Sequence, residues 1–202
     1  MAEVAVIGSG NIGGTVAGKW AAEGHTVTFG ARDPDTPEHR ELADGIGARR
    51  APIAEAVRGA EVVVFAIPGA AMADTVSALG TGLDGKVVID AANNVRGERM
   101  NSRAAIVAAA PGALYYRAFN TLGWEMFDRP IVGGVQADLF FCGPDGDGRR
   151  TTEGLIADVG LRPVWLGGPD VVDVVDGLVR VWFTLVMQQG RGRRLAFKMI
   201  EE

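Results

Sequence analysis

Cysteine is almost missing from this chain: Cys142 is the only one in 202 residues. A single cysteine forms no intramolecular disulfide and builds no cysteine metal cluster. Histidine is nearly as scarce, and His25 and His39 lack the H-x-x-x-H spacing of a zinc site. There is no surplus of basic charge. Lys and Arg number 20 against 25 Asp and Glu, giving a net charge of -5, whereas sequence-independent nucleic-acid binding needs a basic footprint. No apolar run approaches the roughly 20 residues of a membrane span. Met1-Ala2-Glu3 lacks the basic segment of a signal peptide and leads straight into an apolar stretch. These absences predict a cytoplasmic protein without a membrane or nucleic-acid partner.

What the chain does have is glycine in a telling place. Val4-Ala5-Val6-Ile7 reads as a buried strand. Gly8-x-Gly10-x-x-Gly13 follows at once, and a helix is predicted over Thr15 to Ala22. In that setting each glycine has a task. Gly8 makes the tight turn, Gly10 lets a pyrophosphate approach the backbone, and Gly13 lets helix and strand pack closely. Free N–H groups at the helix start would hold the phosphates. The strand–turn–helix context points to dinucleotide binding; the alternative is a glycine turn that merely packs tightly.

The second strand, His25 to Gly30, indicates which dinucleotide. An NAD site usually ends this strand in Asp or Glu, which binds the ribose 2′-OH. Here it ends Gly30-Ala31-Arg32-Asp33-Pro34. A guanidinium suits a 2′-phosphate, because its planar fork pairs with phosphate oxygens. Asp33 is the competing residue, but it lies one position later, just before a proline. The expectation is NADP, with Ala31 and Arg32 at the adenosine end. His39, Arg40, Arg49 and Arg50 are read as solvated loop charges.

Further along, apolar runs alternate with helical stretches. Strands are predicted over Glu61–Ile67, Lys86–Asp90, Leu114–Phe119, Asp138–Cys142 and Arg162–Leu166, with a weaker one around Ile46. Helices are predicted from near Pro52 to Val57, then over Met72–Leu79, Met100–Ala109, Thr152–Val159, Val171–Met187 and Arg193–Glu202. This alternation means βαβ units and a parallel sheet covered on both faces. The fold class is therefore α/β, a Rossmann-type doubly wound, mainly parallel sheet with a small C-terminal helical part. Residues 1–168 form the nucleotide-binding domain and 169–202 a helical segment, whose broad apolar face covers a core or a dimer interface.

Ligands in such sheets lie beyond the carboxyl ends of the strands. That rule selects Ile67-Pro68, Asn93-Asn94 and Asn120-Thr121-Leu122. Pro68 offers an apolar edge to a nicotinamide ring. Asn93 and Asn94 either cap the following segment or bind a ribose or carboxamide. Asn120 and Thr121 are turn residues or ligand contacts. No Ser/His/Asp or Lys/His constellation and no paired carboxylates mark the strand ends, so an acid–base pair would have to come from distant groups such as His25, Tyr115 or Lys198.

Gly8 to Gly13, Gly30-Ala31-Arg32, Ala66-Ile67-Pro68, Ala118 to Trp124 and Gly160-Leu161-Arg162-Pro163 occur in the order of one family. The chain resembles NADPH-dependent reductases of coenzyme F-420, a deazaflavin hydride carrier. The resemblance covers nearly the whole chain. Its first two motifs are shared with pyrroline-carboxylate reductases, and the Phe-Asn-Thr-Leu-Gly and Gly-Leu-Arg-Pro segments are more specific. It implies a homodimer and hydride transfer between NADPH and F-420. Ser9, Asn11 and Ile12 would line the pyrophosphate, Arg32 the 2′-phosphate and Ile67-Pro68 the nicotinamide. Asn120 and Leu122 would lie against the deazaflavin, and the Gly190-Arg191-Gly192 turn would join that pocket. The best-known archaeal members have His at the position of Asn120 and Ser at that of Ala31. Loss of that serine removes a hydrogen bond to a charged group, on the order of 1.5–3 kcal/mol, and leaves selectivity to Arg32. The other readings are an NADP-dependent reductase of a small imine or carbonyl, and a non-catalytic NADP sensor.

Overall fold

The computed structural model describes residues 1–202. Six parallel strands form the central sheet: β1 (Glu3–Ile7), β2 (Thr26–Ala31), β3 (Arg49–Pro52), β4 (Val62–Phe65), β5 (Val87–Asp90) and β6 (Leu114–Arg117). Their spatial order is β3-β2-β1-β4-β5-β6. Every neighbouring pair is parallel, so each connection must cross over, and helices perform the crossings. These are α1 (Asn11–Ala22), α2 (Pro37–Ile46), α3 (Ile53–Arg58), α4 (Met72–Leu79) and α5 (Arg103–Ala109). The order reverses between β1 and β4, which opens a crevice beyond their carboxyl ends.

Two cores follow from the two-residue period of the strands. Val4 and Val6 face one side with Trp20, Phe29, Phe119 and Phe127. Ala5 and Ile7 face the other with Val63, Phe65, Met72 and Val172. Burial on both faces explains why β1 and β4 read as unbroken apolar runs rather than alternating ones.

Past β6 the chain makes α6 (Trp124–Asp128) and a hairpin of β7 (Ile131–Val132) and β8 (Val135–Gln136). Gly133 and Gly134 both adopt positive φ in its two-residue turn. β9 (Asp138–Phe141), α7 (Asp147–Asp158) and β10 (Arg162–Trp165) form a further βαβ unit. It joins the main sheet through one antiparallel bridge, Arg117 to Cys142. Cys142 is fully buried, and burial pushes its thiol up to about 12, which leaves it unreactive near neutrality. Last comes α8 (Val172–Phe183), which passes into a wider turn over Thr184–Gln188. No helix is long and apolar enough to cross a membrane.

Several expectations change, among them the start of α7, at Asp147 rather than Thr152. Ile46 ends a helix, α2, and the strand starts at Arg49. Thr36 caps α2 by accepting from the His39 amide at 3.3 Å, and Pro37 occupies its first turn; both are helix-start signals. α5 begins at Arg103 rather than Met100, because the Asp90 carboxylate draws the Ser102 amide to 2.7 Å. α8 is not covered all round: Val175, Val179 and Trp182 are buried, whereas Val174 and Val181 are exposed.

The largest change is at the carboxyl end, where Arg193–Glu202 forms no helix. It runs extended along β9, with Asp138 donating its amide to the Phe197 carbonyl at 3.1 Å. The cause is the buried Asp138 carboxylate. It accepts from Arg162 Nε at 2.7 Å, Lys198 Nζ at 2.8 Å and the Met199 amide at 2.7 Å. Burial raises this carboxyl, but those three donors outweigh it and hold it at about 2. A buried carboxylate needs such partners, and the tail supplies two of them only when extended.

Candidate functional site

The glycine turn has the form its spacing requires. Gly8 takes φ 110°, and a side chain there would run into the Ala66 carbonyl oxygen just past β4. A Cβ at Gly13 would collide with the carbonyl oxygen of Gly8, so α1 can lie against the turn only with glycine there. At Gly10, by contrast, a Cβ would meet nothing within 4 Å. The backbone is open where a ligand would approach. Gly10 is also the residue before α1, with no side chain capping the helix and no acid in its first turn. The N–H groups there are free to serve an anion. The turn therefore fits a dinucleotide pyrophosphate.

Arg32 stands exposed at the end of β2 beside half-buried Ala31 and makes no ion pair or hydrogen bond. Asp33 is engaged: its carboxylate accepts from the Asp35 amide at 3.2 Å, and its carbonyl contacts His39 Nδ1 at 2.7 Å. The neighbouring cations are also paired. Arg40 meets Asp35, Arg50 meets Asp35 and Asp44, and Arg49 meets Glu3. Arg32 alone of this group is uncommitted.

Beyond the carboxyl ends of β1, β4, β5 and β6 lies a cleft of about 420 Å3. Gly10, Asn11 and Ile12 of the turn, Pro68 after β4, Asn93 after β5, and Asn120 and Leu122 after β6 line it. Five selected residues sit elsewhere. Ile67 packs beneath Gly8, against the second core. Thr121 is buried, and its Oγ1 has no partner. Gly8 and Gly13 shape the turn from behind. Ser9 is half-buried in the turn, outside the cleft wall. His25, Tyr115 and Lys198 are all remote from it: His25 meets Asp158 at 2.9 Å, Tyr115 donates to Asp90 at 3.1 Å, and Lys198 is bound to Asp138.

The opposite wall was not legible in sequence. Trp124, Trp182, Phe183 and Arg193 close the cleft. Trp182 and Phe183 meet edge to face at 5.4 Å. The Arg193 guanidinium lies over the Trp182 ring, 5.2 Å from its centroid, and pairs with Glu125. These residues come from three elements far apart in the chain. The signs in the sequence were the Ala118 to Trp124 motif and the Gly190-Arg191-Gly192 turn, each next to or containing one of these residues.

Beneath the polar wall lies a buried ion network that sequence reading also missed. Arg117, fully buried, meets Asp90 Oδ1 at 3.2 Å and Asp176 Oδ1 on α8 at 2.9 Å. It donates to the backbone carbonyls of Asp90 and Ala92 and to Asn93 Oδ1 at 2.7 Å. Asp176 in turn accepts from Asn101 at 2.7 Å. Burial pushes the Asp90 carboxyl up against the lowering pull of Arg117 and the Ser102 amide. For Arg117 the order reverses: burial lowers the guanidinium, and Asp90, Tyr115 and Asp176 raise it further. One side chain thus ties together β5, β6, the Asn93 loop and α8. The signal was present as an arginine within Leu114–Phe119 and an aspartate within an apolar helix. A buried charge is retained only with partners.

Just after Arg117, Phe119 takes φ 60°, the only residue other than glycine with positive φ. A bulky residue there is strained. Edge-to-face packing on Trp20 at 5.5 Å and Phe127 at 5.7 Å fixes the ring, and the backbone turn that follows brings Asn120 to the cleft.

Residues 3–94 match the model of a family described as "NADP oxidoreductase coenzyme F420-dependent". A crystal structure from Arthrobacter sp. FB24, described as a candidate F420-dependent NADP-reductase, is 26% identical and covers 100% of both chains with a TM-score of 0.84. A glycerol-3-phosphate dehydrogenase [NAD(P)+] of Corynebacterium urealyticum is 27% identical over 81% of this chain. The chain spans about half, 53%, of that dehydrogenase. A reductive aminase of Aspergillus terreus in complex with NADPH has the same fold, with 20% identity, a TM-score of 0.62, and coverage of 96% of this chain and 68% of that one.

Proposed function

We propose that the protein transfers hydride between NADPH and the deazaflavin coenzyme F-420. The observation that carries this reading is the cleft wall itself. Three asparagine amides, three aromatic rings and a guanidinium line the space that begins at the glycine turn, with no histidine, lysine or tyrosine among them. NADPH, when bound, supplies the hydride. A second planar carrier takes it up directly, so the protein has only to stack, orient and exclude water.

Within that reading, Gly8, Ser9, Gly10, Asn11, Ile12 and Gly13 hold the pyrophosphate, and Ala31 and Arg32 receive the adenosine 2′-phosphate. Pro68 and Asn93 bound the nicotinamide with Ile67 packed behind them, while Asn120 and Leu122 bound the second ring with Thr121 buried between them. Residues 1–168 bind the dinucleotide and 169–202 complete the opposite wall. The working unit is a homodimer in the cytoplasm. Mixing the protein with NADPH and oxidised F-420 should bleach the deazaflavin absorbance. Tight NADPH binding without bleaching would defeat the reading.

A second reading, reduction of a small imine or carbonyl, is favoured by Glu125. One of its carboxylate oxygens is buried without a partner and approaches Gly123 on the cleft wall. Turnover of NADPH with a panel of cyclic imines and ketones, absent with F-420, would select it.

A further inference from the structure

Three amides line the cleft, Asn11, Asn93 and Asn120, and Arg117 fixes which way the last two point. Asn93 Oδ1 accepts from Arg117 Nη2 at 2.7 Å, and Asn93 Nδ2 donates to the Asn120 carbonyl at 3.2 Å. The oxygen of Asn93 is thus held toward Arg117, and its amide group keeps one N–H beyond the bond to Asn120. The Asn120 amide satisfies the same guanidinium only with its oxygen turned inward. In that orientation Oδ1 accepts from Nη2 at 3.3 Å and from Nε at 3.1 Å. The reverse would face an NH2 group to N–H donors. The edge of Asn120 left for the cleft is again N–H.

We infer that Asn93 and Asn120 present N–H edges, oriented from behind by Arg117, and that these edges select a second ligand by a carbonyl edge. The inference rests on the proposed function and narrows its substrate class. Hydride adds to the ligand as a proton with two electrons. In a ring conjugated to a carbonyl, those electrons place negative charge on the carbonyl oxygen, where two N–H donors stabilise it. An iminium loses positive charge in the same step and offers the wall no acceptor. The two amides thus favour conjugated carbonyl heterocycles over cyclic iminium ions. Asn120 is the specificity-determining residue, and Arg117 is a positioning residue that acts through it.

Asn120→Asp keeps the shape and the contact with Arg117 but replaces the donor edge with an anionic acceptor. The probes are the deazaflavin riboside, and a cyclic ketone paired with the cyclic iminium of the same ring size. Binding of each, and of NADP, is measured by titration alongside turnover. Wild type should bind the ketone at least tenfold more tightly than the iminium. Asn120→Asp should reverse that order and weaken the riboside at least tenfold, with NADP affinity kept within about threefold. Arg117→Lys, which keeps the charge but loses the planar fork, should collapse the ketone preference without reversing it. If Asn120→Asp fails to fold, Asn120→Leu should erase the preference without any gain for the iminium. Equal losses for ketone and iminium in these variants, or an unchanged riboside affinity, would overturn the inference. If wild type ignores the deazaflavin but the ketone–iminium order still reverses, the donor wall stands and the F-420 reading falls.

Discussion

At the scale of single residues, charge placement carries the most consequence. Arg32 is exposed and uncommitted, while Asp33 is folded back onto α2. Arg32→Ala should therefore weaken NADP binding by about tenfold or more, the worth of a charge-assisted hydrogen bond, and leave NAD nearly unchanged. Titration of both cofactors checks it, and equal losses would remove Arg32 from the site. Arg117 behaves differently because it is buried between Asp90 and Asp176. Arg117→Met strands two carboxylates in the interior and should cost about 3–5 kcal/mol, read as a lowered denaturation midpoint. Arg32 was legible because it sits at a fixed offset from the glycine motif. Arg117 was legible only as an odd charge within a strand, since nothing local names Asp176, 59 residues away, as its partner.

At the scale of elements, the tail from Arg193 is the instructive case. Its sequence permits a helix, yet the Asp138 carboxylate outbids local hydrogen bonding by drawing Lys198 and the Met199 amide to β9. The same strap delivers Arg193 to the Trp182 ring. Asp138→Asn should release it: amide exchange over residues 195–199 accelerates, and binding of the second ligand weakens through loss of the Arg193 wall. An unchanged exchange rate would show that the strap is held by Phe197 packing alone. The wide helical turn at Thr184–Gln188 directly follows Trp182 and Phe183. Such turns recur at functional sites, and here it redirects the chain toward the cleft.

At the scale of the whole molecule, Asp138 sets an acid limit. Its carboxyl is held at about 2 in the folded protein against roughly 3.9 when unfolded. A depressed carboxyl stabilises the fold above the unfolded value and stops doing so as pH falls through the folded one. The contribution, on the order of 2 kcal/mol, should be intact above pH 5 and lost between about pH 4 and 2. Denaturant midpoints for wild type and Asp138→Asn should converge across that interval. Parallel curves would place the acid sensitivity elsewhere. The sheet order also belongs to this scale, since the reversal between β1 and β4 puts the glycine turn beside Pro68, Asn93 and Asn120.

The sequence by itself determined the alternation of strands and helices, the two-faced burial of the central strands, the glycine turn and the arginine that ends β2. All of these depend on neighbours a few residues away, where periodicity and steric fit act. Only the tertiary structure decided that Trp182 faces Asn120, that Arg117 turns two amides by their oxygens, and that Asp138 straightens the tail. Those outcomes come from burying charge beside partners 24 to 60 residues distant, and the cost of an unpaired buried charge is felt only once the chain has closed around it.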